Sequence, residues 1–161
     1  MIVVSDSSPL IALASIGQLH LLRELFGEVL VPEVVWREIA HQSGKPGVQA
    51  LLEVSWIRRV DVAQDSYLMA LQTEIDEGEA EALALAAEVN ADLVLLDERR
   101  GRKVALEMGF RVIGAAGVLG LAKARGMLRE IRPLLDEMTQ LVEFRIGRRL
   151  YEDILRSAGE L

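Results

Sequence analysis

Cysteine is absent from the 161 residues and histidine occurs only 2 times. The first absence excludes disulfides, thiolate nucleophiles and Cys-based zinc sites, and two isolated histidines leave little for a His-rich centre. Any chemistry must therefore come from oxygen ligands, amines or hydroxyls. Long apolar runs are missing too. Charges interrupt every hydrophobic segment well short of the about 20 residues that cross a bilayer, so no membrane span is expected. Met1 to Ser5 carries no basic leader and runs straight into an apolar, strand-like stretch, which makes a cytoplasmic protein the expectation. There is no internal repeat, low-complexity segment, convincing linker or Walker loop.

What the chain does have is apolar mass and acid. With 51% hydrophobic residues, a chain of this length buries one substantial core and is too short for two ordinary domains. Residues 1–161 are expected to form one domain, with helices from about residue 128 packed on it or used in dimerisation. The formal net charge of -7 counts against a polyanionic partner, because phosphates need Lys and Arg. That average conceals a split. Residues 1–98 hold 5 basic and 17 acidic side chains, a net −12, whereas residues 99–161 hold 13 and 8, a net +5. The sign reverses directly after Asp97, an asymmetry that fits either an interaction surface or arginines on solvated helices.

Ile2-Val3-Val4 is a β-branched run, and Ser8-Pro9 reads as a helix start with a hydroxyl N-cap and proline at the first helical position. Leu10 to Phe26 keeps helical spacing, interrupted by Gly17; Glu28 to Val31 is a second strand, and Pro32 opens a helix to about Gln42. After the loop from Ser43 to Gly47 come a helix at Val48 to Val54, a strand at Ile57 to Val60, and helices at Ala63 to Gln72 and Glu77 to Val89, the last rich in alanine. Leu93-Val94-Leu95-Leu96 is continuously apolar, the pattern of a parallel strand covered on both faces. A helix at Arg102 to Met108, a strand at Arg111 to Ile113, a helix at Val118 to Arg125, and helices broken by Pro133 and Gly147 complete the chain. Strands alternating with helices predict an α/β fold. The expected form is a three-layer α/β/α sandwich around a parallel sheet of four to five strands, with sites at the carboxyl ends of the strands.

Asp6 and Asp97 each fall just beyond a strand, so both face one edge of the sheet. Carboxylates gathered there repel one another unless a cation neutralises them, although either alone reads as a loop aspartate or helix cap. Asp92 starts the strand that Asp97 follows, roughly 16 Å away at about 3.3 Å per residue, and belongs to the opposite edge. After Pro32, Glu33 and Arg37 have the spacing of a surface ion pair, while Glu38 has no lysine or arginine three or four positions away. On the alanine-rich helix Glu79 shares a face with Ala82, Leu83 and Ala86, whereas Glu81 shares a stripe with Glu77 and Glu88, about 200° around the axis. A stripe of acids predicts solvent for Glu81. An acid on an Ala/Leu face needs a partner, which points to Glu79, unless that residue only answers the positive end of the helix dipole.

Four segments occur in order: Val3-Val4-Ser5-Asp6-Ser7-Ser8-Pro9-Leu10-Ile11; Val31-Pro32-Glu33-Val34-Val35 with Glu38; Gly78-Glu79-Ala80-Glu81-Ala82-Leu83; and Leu95-Leu96-Asp97-Glu98-Arg99-Arg100-Gly101-Arg102. Together they resemble the PIN domain, and in detail the branch of predicted nucleic acid-binding proteins related to VapC-type toxins. The likeness spans nearly the whole chain. It implies a nuclease whose divalent ion or ions are held by Asp6, Glu38, Glu79 and Asp97, with Glu81 the weaker alternative to Glu79. Ser7 matches the small hydroxyl residue beside the first acid. The 18 residues from Glu79 to Asp97 suit the family's pattern better than the 16 from Glu81. The chain departs from the commonest pattern in placing glutamates second and third, and Asp-Glu-Arg-Arg after the last strand.

An all-oxygen ligand set selects Mg²⁺ or Mn²⁺, which bridge to phosphate. The implied reaction is hydrolysis of a phosphodiester in RNA or DNA, leaving a 5′-phosphate and a 3′-hydroxyl. Arg99, Arg100, Arg102 and Lys103 are the candidates for holding the phosphates. Likeness to toxins further implies a homodimer and a small antitoxin protein that inserts a basic side chain into the acidic cluster. Other acid-centred α/β proteins fit less well. A haloacid-dehalogenase-type phosphatase wants a second aspartate where Ser8 stands, and a response-regulator receiver wants a lysine where Ile113-Gly114 stands. Gly114, Gly117 and Gly120 match a dinucleotide fingerprint only loosely. The remaining rival is a PIN fold that binds RNA or a protein without cutting.

Overall fold

The computed structural model of the chain describes residues 1–142 and 144–161. Its centre is an all-parallel five-stranded sheet in the order β3-β2-β1-β4-β5, formed by β1 (Val3–Ser5), β2 (Val29–Pro32), β3 (Ile57–Val60), β4 (Leu93–Leu95) and β5 (Val112–Ile113). Successive strand residues point to opposite faces. Val3, Leu93 and Leu95 therefore enter one apolar core, while Val4, Val94 and Leu96 enter a second. Burial on both sides explains why β4 reads as an unbroken apolar run.

Helices cover both faces, giving the expected α/β/α sandwich. Against the first core lie α1 (Ser7–Ser15), α2 (His20–Phe26), α3 (Glu33–Ala40), α4 (Val48–Glu53), α8 (Ala115–Ala124), α9 (Arg132–Leu141) and α10 (Arg148–Ser157). Against the second lie α5 (Ser66–Gln72), α6 (Glu77–Val89) and α7 (Arg99–Glu107). The strand order reverses between β1 and β4. The chain leaves β1 for α1 on one face and leaves β4 for α7 on the other, so a crevice opens at their carboxyl ends, where α/β proteins place their sites.

Several local expectations are corrected. Ser8 is not an N-cap: α1 starts at Ser7, with Asp6 extended at the cap position and no side-chain cap bond. The Asp6 amide is still tied to Leu95 O at 3.0 Å, which fixes where β1 ends and lets the helix begin at once. Gly17 does break the long helical stretch, at φ 69, a conformation that favours glycine. Glu33 pairs with Arg59 at 3.7 Å rather than with Arg37, because β3 runs beside β2. Helices α7 and α8 each start three residues earlier than the spacing predicts, at Arg99 and Ala115.

The C-terminal helices are anchored on the first core through Leu135, Met138 and Leu155. The Glu160 carboxylate then accepts from Lys123 Nζ at 2.9 Å, Ile131 N at 2.8 Å and Arg132 N at 3.0 Å. Among the described residues no helix is long and apolar enough to cross a membrane.

Candidate metal centre and active site

Asp6 follows β1 and is 5% exposed. Its Oδ1 is buried and has no hydrogen-bond partner among the described residues. Burial drives its pKa from the usual 3.8 to about 8; the Ser7 amide works against that, and repulsion from Asp76, Glu38 and Glu79 adds to it. Asp97 follows β4. Its Oδ1 accepts from Ala115 N, at the start of α8, at 3.0 Å, leaving Oδ2 buried and without a partner among the described residues. Burial raises Asp97 to about 6, against the pull of the Ala115 amide and the Arg102 guanidinium.

Ser7 joins the first two acids. It opens α1 beside Asp6, and its hydroxyl donates to Glu38 Oε2 at 3.0 Å. Burial raises Glu38 above the usual carboxylate range, the Ser7 bond lowers it, and Asp76, Glu77 and Glu81 repel it. Glu79 sits in the first turn of α6 in a capping box. Its amide donates to Asp76 Oδ1 at 2.8 Å, and its Oε2 accepts from Asp76 N at 3.3 Å. Burial, then Asp76, Glu98 and Glu38, push it to about 7.

Glu81 is not the solvent residue its stripe predicts, being 6% exposed. The small residues of α6 let α3, α5, α7 and the sheet close around the helix, so every residue from Gly78 to Ala86 is buried. Gln64 Nε2 approaches Glu81 at 3.5 Å, and burial raises its pKa. Burial therefore does not separate the two glutamates. Both lie near Glu38, but only Glu79 of the two is among the groups that repel Asp6.

Asp76 was not among the expected residues, yet it repels Asp6, Glu38 and Glu79 alike. Its signal in the sequence is the Asp76-x-x-Glu79 spacing just before an apolar run, which marks a capping box. Three glycines also press on the acids. A Cβ on Gly78 would lie 2.6 Å from Glu38 Oε1, one on Gly101 would lie 3.2 Å from Glu79 Cδ, and one on Gly114 would collide with Asp97 Oδ1.

The four expected cations divide. Arg102 is half-buried, and its Nη1 donates to Leu96 O at 3.0 Å beside Asp97. Arg99, Arg102 and Lys103 line a groove running from Asp97 toward α10, but Arg100 faces a separate recess with Asp76, Glu79 and Glu98. The acids likewise fall into a group around Asp6, with Glu38, Glu79 and Asp76, and a neighbouring Asp97 held by α8 and Arg102. Among the described residues no three His, Asp or Glu side chains are placed to close around one ion.

A parallel sheet with buried, unpartnered carboxylates at its switch point defines an acid-centred α/β protein. The family model for the PIN domain matches residues 2–160, and the chain belongs to the PIN-domain family. PIN domains are generally nucleases and usually employ divalent metals. Among curated proteins none matches the chain.

Proposed function

We propose that the protein is a divalent-metal-dependent endoribonuclease whose ion is held by Asp6, Glu38, Glu79 and Asp97. The observation that supports this reading best is the pair of buried carboxylate oxygens, Asp6 Oδ1 and Asp97 Oδ2, left without partners among the described residues at the ends of adjacent parallel strands. Desolvating a carboxylate without a partner is costly, and a hard cation is a partner suited to both oxygens. The donors are all oxygens, as Mg²⁺ and Mn²⁺ favour. The glycines behind Glu38, Glu79 and Asp97 give each carboxylate a fixed backing.

A bound ion would supply Lewis-acid polarisation of the phosphate and a more acidic water. The chain's own part is to orient and to hold protons. Ser7 aims Glu38, the capping box aims Glu79, and the first amide of α8 holds one oxygen of Asp97. Asp6 near 8 and Glu79 near 7 retain protons around neutrality, to be released as a cation enters. Arg102, fixed by the Leu96 carbonyl, stands ready for a phosphate oxygen.

The test is cleavage of generic RNA and DNA with and without EDTA, wild type against Asp6→Asn. The reading expects EDTA-sensitive RNA cutting that the variant loses, and fails if cutting ignores both. The placement of the acids, with no three closing around one point among the described residues, favours a second reading as a non-catalytic nucleic-acid or protein binding module. Heat on Mn²⁺ titration separates the two. The toxin reading adds a homodimer and a small partner with a basic side chain for the Asp6 cluster; its support is the concentration of acid there, and light scattering with and without co-expressed neighbouring genes tests it.

A further inference from the structure

Two clefts meet at Asp97. One, of about 240 Å³, runs past Gln42, Lys45 and Phe144; the other, of about 1030 Å³, runs between α7 and α10. Asp97 and Arg145 line both, so the two clefts adjoin at these residues. In the larger cleft Arg145 and Arg149, from the segment that enters α10, share the lining with Arg99, Arg102 and Lys103 of α7. Among the described residues these five cations outnumber the three carboxylates of the same lining, Asp97, Glu107 and Asp153, in a chain of net charge -7. Between the cations Leu106 and Leu150 are 61% and 51% exposed. Cations alternating with open aliphatic surface suit a ligand that carries repeated anions and flat apolar faces. A duplex stacks those faces inward, whereas a single strand presents them together with its phosphates.

We infer that these adjoining clefts are the track of a single-stranded nucleic acid, with Arg145 and Arg149 of the C-terminal segment forming its second wall opposite α7. The inference rests on the nuclease reading for the strand's passage over Asp97. It assigns no role to Arg100, which faces the Asp76, Glu79 and Glu98 recess.

Fluorescence anisotropy on the full chain, in an Asp6→Asn background that does not cut, tests it with labelled oligouridine of four and sixteen nucleotides. Arg145→Ala with Arg149→Ala should weaken the sixteen-mer about tenfold or more, barely change the four-mer, and flatten the salt dependence by about 1.4, at ~0.7 per lost phosphate contact. Both side chains are exposed, so the fold should persist, and Lys at both positions should restore most of the binding. Unchanged sixteen-mer affinity in the double Ala variant overturns the track, as does equal affinity for duplex, or an acidic peptide binding where oligouridine does not. If wild type cuts RNA while the double variant loses nothing, the track alone falls. If the strand binds through Arg145 and Arg149 but wild type never cuts, the nuclease reading alone falls.

Discussion

A methyl group on Gly78 would lie 2.6 Å from Glu38 Oε1, so the start of α6 and the carboxylate of α3 fit only because residue 78 has no side chain. The obstacle is the far end of a flexible side chain. Gly78→Ala should therefore cost little stability, helped by alanine's better helix propensity. Glu38 should instead swing aside. Manganese affinity is expected to fall about tenfold or more, read by calorimetry beside an unchanged melting temperature. Equal affinity in the variant would remove Glu38 from the proposed ligand set.

Asp6, Glu79 and Asp97 are raised to about 8, about 7 and about 6 by burial first of all. With folded pKa values above the unfolded ones near 4, the native state binds more protons across that interval, so its stability falls as pH rises from about 4 to about 8. Thermal melts in EDTA should show this decline, and Mn²⁺ should offset it most near pH 8. A metal-free melting temperature that rises over the same range would contradict the assignment.

Asn at position 6 keeps the shape and removes the charge. Asp6→Asn should melt higher than wild type at pH 8 without metal, while losing at least about 100-fold in cleavage. A variant that loses both stability and activity would point to a structural role instead.

Glu79→Gln leaves the capping box available, since Gln serves at that position as Glu does. Cleavage should drop while helix content by circular dichroism is kept. Glu81→Gln, whose neighbour is Gln64, should affect cleavage far less. The opposite order would make Glu81 the third ligand.

Glu160 binds Lys123 and two backbone amides through one carboxylate. Glu160→Ala leaves those donors to solvent or unpaired, with an expected loss of roughly 1–3 kcal/mol in urea unfolding. Residual cleavage per folded molecule should match wild type, because these groups lie away from Asp6 and Asp97.

The sheet was legible because its strands follow a simple rule: two-sided burial gives unbroken apolar runs, as at Leu93 to Leu95, and helices between them force parallel pairing. The placement of Asp6 and Asp97 at the strand ends followed from the same rule. Glu81 was misread because helical periodicity assumes one outward face, while α6 is enclosed by α3, α5, α7 and the sheet. Ser8 was misread because the Asp6 amide stays bonded to β4, a contact made by residues distant in sequence. Asp76 was readable in its spacing to Glu79, but its reach to Asp6 and Glu38 depends on how α6 meets β1 and α3.

Val3 pairs with Leu93, so the central strand of the sheet waits for a neighbour encoded far downstream. A ribosome delivering the chain from its N-terminus exposes Asp6 91 residues before Asp97. Cutting competence, on the proposed reading, then waits for Asp97. A nascent or stalled chain ending before Leu93 lacks both the second aspartate and the strand that would align it, and on that reading would leave the RNA around it intact.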